Sequence, residues 1–133
     1  MLPGPMDALL TSKFRSIPFN LSKPAQFILI ENRGLAQCRV SPDGFCIFSD
    51  EGGSTDNYPG DGDCTFQVSK RTSISSVRFR LGADDFLEIG TTQFTGFVGP
   101  SAFSVERGQD ILFFADEDRF TVAGGFEICI DDP

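Results

Sequence analysis

From Gln26 onward the chain alternates apolar and polar residues in short runs, each broken by Gly, Asp, Asn or Pro. Successive side chains of a strand point to opposite faces, so such runs predict β-strands with one dry and one wet side. Nine segments qualify: QFILIEN, AQCRV, FCIF, CTFQVS, SISSVRFRL, FLEIG, AFSVE, DILFFA and GFEICI. Turn residues recur about every 8 to 12 positions, the spacing of an antiparallel sandwich or jelly roll. No segment carries a helical period. In SVRFRL the alternation puts Val77, Phe79 and Leu81 on one face and Arg78 and Arg80 on the other. The same reasoning assigns Phe66, Phe79, Phe113 and Phe126 to the core. Phe113 and Phe114 are neighbours, so one of them must point outward.

The N-terminal stretch MLPGPMDALLTSKFRSIPFNLSKPAQ has four prolines and no strand-like alternation. It reads as an extended arm over residues 1–24, followed by one β domain over residues 25–133. Leu9, Leu10, Phe14, Ile17 and Phe19 are spaced along the arm as apolar anchors for a partner surface. Asp7 interrupts the apolar run that a secretory signal needs. Asn20 opens an Asn-Leu-Ser sequon.

Composition narrows the function classes. The 133 residues suffice for one core, and 40% are hydrophobic, including fifteen Phe. A net charge of −8 repels nucleic acid and anionic lipid, which leaves cations and basic protein surfaces as partners. No apolar run approaches the roughly 20 residues that a membrane-spanning helix requires. The chain has no histidine, so Ser-His-Asp and Cys-His catalysis are excluded, and no phosphate-cradling glycine loop is present. Plentiful acids leave a carboxylate-pair glycosidase compatible with composition, yet nothing marks a shielded, protonated carboxyl. The chain reads as a non-enzyme.

The four cysteines, Cys38, Cys46, Cys64 and Cys129, form no CxxC pair. Without histidine, a zinc site would need all four thiolates at unusual spacings. Asp50, Glu51, Asp61 and Asp63 flank Cys46 and Cys64, and acids do not favour a reactive thiolate. Two disulfides in an oxidising compartment remain, with three pairings open.

Three stretches carry a resemblance. NYPGDGDCTFQV resembles the Asn-Tyr-Pro signature of CUB domains, DDFLEIGTTQFTG resembles their Tyr-Leu-Glu-Ile stretch, and DILFFADEDRFTVAGGFEICI is similar to their closing strands. The likeness spans about residues 38–130 and is nearest to the divergent CUB-like domains of algae and other protists. It implies an antiparallel jelly-roll β-sandwich. It also implies the pairings Cys46–Cys64 and Cys38–Cys129, although ordinary CUB domains carry further cysteines in the middle strands. Many CUB domains bind calcium, and the resemblance places Asp85 and Asp116 at two of the ligand positions. The family's Glu has no counterpart, because RLGA precedes Asp84. The plainer reading makes Asp84, Asp85, Asp116, Glu117 and Asp118 solvated turn acids or partners of Arg78, Arg80 and Arg119.

These observations make the chain a protein-binding or assembly module acting through surface loops. The alternative is an accessory structural subunit, docked by its arm on the lumenal side of a large membrane complex such as an algal photosystem. Secreted and organelle-lumenal locations, the thylakoid included, both fit the cysteines.

Overall fold

The computed structural model describes residues 23–50, 62–82, 84–115 and 124–133. The anchors Leu9, Leu10, Phe14, Ile17 and Phe19, the sequon at Asn20 and the candidate ligand Asp116 lie outside the described residues.

Among the described residues there are ten strands and no helix. They are β1 (Phe27–Gly34), β2 (Arg39–Val40), β3 (Cys46–Phe48), β4 (Gly62–Val68), β5 (Thr72–Arg80), β6 (Phe86–Ile89), β7 (Thr92–Phe94), β8 (Phe103–Val105), β9 (Ile111–Ala115) and β10 (Gly125–Ile130). Two five-stranded sheets result, one in the order β1-β4-β9-β6-β7 and the other β2-β3-β10-β5-β8. All strand pairs are antiparallel.

Nine of the strands fall on the nine expected segments, and β7 is additional. Its sequence TQF offers one apolar residue, too little for a periodic signal. It forms because the two-residue turn Gly90–Thr91 folds it back on β6, with Ile89 opposite Thr92.

The sheets share one core. Phe113 of β9 meets Phe126 of β10 edge to face at 5.1 Å between ring centroids, and Phe94 of β7 meets Phe103 of β8 in the same manner at 5.3 Å. Each contact joins one sheet to the other, as in a β-sandwich. Phe66, Phe79, Phe113 and Phe126 are all buried, each contributing roughly 1.5–3 kcal/mol by leaving water. Phe114 points outward, as its position beside Phe113 requires.

Val77 departs from the expected alternation. It is 64% exposed, whereas Phe79 and Leu81 are buried. The register slips where Ser76 faces Ile128 and Arg78 faces Glu127, so Val77 is the extra residue of a β-bulge. A bulge resets the period of two, and for that reason Ile74 and Phe79 both reach the core five positions apart.

The disulfides also differ from the expectation. Cys38 pairs with Cys64 and Cys46 with Cys129, not Cys46 with Cys64 or Cys38 with Cys129. Topology dictates the correction. Cys46 lies on β3 in one sheet and Cys64 on β4 in the other, whereas β3 neighbours β10 and sets Cys46 directly opposite Cys129. Ile130 N donates to Phe45 O and Ser49 N to Phe126 O, which puts the Cys46–Cys129 pair at a non-hydrogen-bonded position, where facing Cα atoms come closest. Cys38 is brought to Cys64 by Asn32, which stands opposite Cys64 in register. The Asn32 side chain donates to Cys38 O at 3.0 Å and accepts from Cys38 N at 3.3 Å.

Candidate functional site

At one end of the molecule the chain leaves β3 through Ser49 and Asp50 and later returns to β10 through Gly124 and Gly125. Ser49 N donates to Phe126 O, and Phe126 N donates to Ser49 Oγ at 2.9 Å. Ser49 Oγ in turn donates to Asp50 Oδ2 at 3.4 Å. Asp50 is only 1% exposed. A carboxylate so buried requires a cation, and Arg78 supplies it from β5 at 3.5 Å. The other arm of the Arg78 guanidinium donates to Gly124 O. One side chain therefore ties together the residues that lead into segment 51–61 and out of segment 116–123. Gly125 makes the close approach feasible: its φ of +84° is left-handed backbone, and a Cβ there would run into Ser49 Oγ.

The expected metal position is only partly described. Asp85 is buried, its N–H donates to Gly82 O at 3.1 Å, and its carbonyl accepts from Thr95 Oγ1 at 2.6 Å. Asp84 beside it is exposed. Among the described residues the one acid-and-thiol group compact enough to hold an ion is Cys46, Glu127 and Cys129. Its sulfurs are bonded to each other, and calcium takes oxygen ligands, so that group does not fit calcium. Of the arginines named beside the loop acids, Arg78 serves Asp50, and Arg80 lies over the exposed ring of Phe97 at 5.7 Å.

A second feature, absent from the sequence reading, lies on the wet face of the β1-β4-β9-β6-β7 sheet. Thr65, Leu112 and Glu88 stand side by side across β4, β9 and β6. With Gly90, Gln109 and Asp110 they line an open depression of about 420 Å³. Gly90, at φ +62°, lines the hollow without a side chain; a Cβ there would come to 3.0 Å from Gln109 Nε2. Gln93 Nε2 donates to Glu88 Oε1 at 3.1 Å, and Gln67 Nε2 donates to Asp110 Oδ1 at 2.8 Å. Two residues further along each strand, Phe86 and Phe114 stack at 5.3 Å on the same face.

Acids on this face divide into two groups. Asp63 and Glu31 share Arg33, at 3.0 and 3.6 Å. The Arg33 guanidinium is held above its ordinary range by the hydrogen bond to Asp63, then by the charges of Asp63 and Glu31. Glu88 and Asp110 take part in none of the ion pairs among the described residues, and their partners are the neutral amides of Gln93 and Gln67. Sequence pattern could show that Glu88 and Leu112 lie on wet faces of their strands, but not that β6 and β9 are neighbours.

No helix among the described residues is long and apolar enough to cross a membrane. The two disulfides are compatible with an oxidising compartment. No family model, curated protein or solved structure matches the chain.

Proposed function

We propose that this chain is a non-enzymatic protein-binding and assembly module, a disulfide-stapled jelly-roll domain of CUB-like type that presents surface loops to a partner. The observation that carries the reading is the buried Asp50–Arg78 pair with its bond to Gly124. A cation spent on anchoring the roots of two segments serves presentation, since recognition loops need a rigid frame beneath them. Segment 51–61 is rich in Asp and Gly, and segment 116–123 begins with Asp116, Glu117 and Asp118, so a basic surface is the complementary partner. The absence of histidine and the neutralised state of the Asp50–Arg78 pair both favour binding over catalysis.

Cross-linking mass spectrometry of the full chain in an extract of its own cells tests this. Cross-links from segments 51–61 and 116–123 to another protein are expected. Cross-links confined to residues 1–24 would favour the arm-docked lumenal subunit instead, and a chain that migrates as a monomer without cross-links would overturn both readings.

A further inference from the structure

We infer that the wet face of β4, β9 and β6 docks a basic, partly apolar segment of a protein partner, with a lysine or arginine side chain entering the depression between Glu88 and Asp110. The inference rests on the binding-module reading but names a different surface, the sheet face and not the loops.

Charge decides the occupant. Arg33 already serves Asp63 and Glu31 on this face, while Glu88 and Asp110, which line the hollow, have only amide partners among the described residues. Two like charges flanking a concavity attract a cation, and the chain's net charge of −8 reinforces the field. That same charge opposes a second copy of this chain as occupant. A neutral ligand would leave both carboxylates without a counter-charge.

Shape adds the apolar half. Leu112 and Thr65 provide the floor, against which the methylene stem of a lysine or arginine packs while its head reaches the acids. The stacked Phe86 and Phe114 lie next along the strands, and Phe114 is 36% exposed. An apolar residue beside the cation in the partner covers that pair. At 420 Å³ the depression has room for one long side chain and its water.

The probe is the pentapeptide acetyl-Ser-Lys-Phe-Lys-Ser-amide, compared with the same peptide carrying Gln for both lysines. Each is titrated into the full chain, disulfides intact, with backbone amide resonances as the readout. The lysine peptide is expected to shift Glu88, Gly90, Asp110 and Leu112, and to bind more weakly at high salt. Replacing both acids, Glu88→Gln with Asp110→Asn, should weaken it about tenfold. Thr65→Lys, which places the chain's own cation in the hollow, should abolish the shifts while leaving both carboxylates in place. Equal binding of the two peptides, shifts mapping to another surface, or unchanged affinity in the double variant would overturn the inference. Loop cross-links to a partner that persist in the double variant, together with any of those results, would leave the binding-module reading standing and remove only this site.

Discussion

Cys46 on β3 and Cys129 on β10 face each other directly across the sheet, their Cα atoms 4.1 Å apart and their side chains joined. The second bond, Cys38–Cys64, lies between two buried residues at 4% and 0% exposure, whereas Cys46 and Cys129 are half-buried.

Access governs thiol–disulfide exchange, so the two bonds should open in order. Limited dithiothreitol without denaturant is expected to free Cys46 and Cys129 for alkylation before Cys38 and Cys64. Peptide mapping of the unreduced protein should recover the 38–64 and 46–129 pairs; finding 46–64 would contradict the strand order itself. Replacing Cys46 and Cys129 together by Ser releases a separation of 83 residues and should cost about 4.5 kcal/mol, against about 3.5 kcal/mol for the separation of 26 closed by Cys38–Cys64.

The Asp50–Arg78 pair is nearly all protein on the acid's side and partly wet on the base's, with side-chain exposures of 2% and 21%. Arg78→Met takes this cation from a buried carboxylate and should destabilise the fold by about 3 kcal/mol, the low end for a broken buried pair. Asp50→Asn should cost less, because Arg78 can turn to solvent. Urea unfolding of both variants and of the double variant gives the coupling; an Arg78→Met midpoint equal to that of the parent would mean that the pair does not hold Asp50 and Gly124 in place.

Gly125→Ala meets both a left-handed backbone and the Ser49 hydroxyl. A loss of about 1–3 kcal/mol is expected, read as a lowered melting temperature. Resonances of Ser49 and Phe126 should shift most, since Phe126 N donates to that hydroxyl.

Asp43 contributes to the loss of stability in acid. Its carboxylate accepts from Ser41 Oγ at 2.6 Å and from Phe45 N at 2.9 Å, and these bonds, the Ser41 bond foremost, hold its pKa below the ordinary value. A depressed folded pKa stabilises above the unfolded value, about 3.9, and that contribution is lost as pH falls through the folded one. Melting temperatures from neutral pH down to about pH 2 should therefore show Asp43→Asn below the parent at neutral pH, with the gap closing under about pH 4. A gap independent of pH would remove Asp43 from the acid limb.

Strand positions were largely legible because alternation is local: DILFFA and GFEICI each carry enough apolar residues to declare a dry face. Val77 departs from the alternation because a bulge is set by the partner strand, here β10, and leaves no trace in the residues of β5. Arg78 reads as a wet-face residue, and only β3 ending beside β5's neighbour brings Asp50 beneath it. The depression between Glu88 and Asp110 was invisible for a related reason, since its walls come from β6 and from the turn before β9.

The sequence by itself determined the all-β character, the use of four cysteines in two bonds, the acidic surface and the absence of histidine chemistry. Each of these follows from composition or from a period of two within one segment. Tertiary structure decided which cysteines pair, which arginine meets the buried aspartate, and where two carboxylates border a hollow. Those outcomes depend on which strands become neighbours, and strand neighbours separated by tens of residues are selected by packing of the whole core, where Phe113 and Phe126 join one sheet to the other.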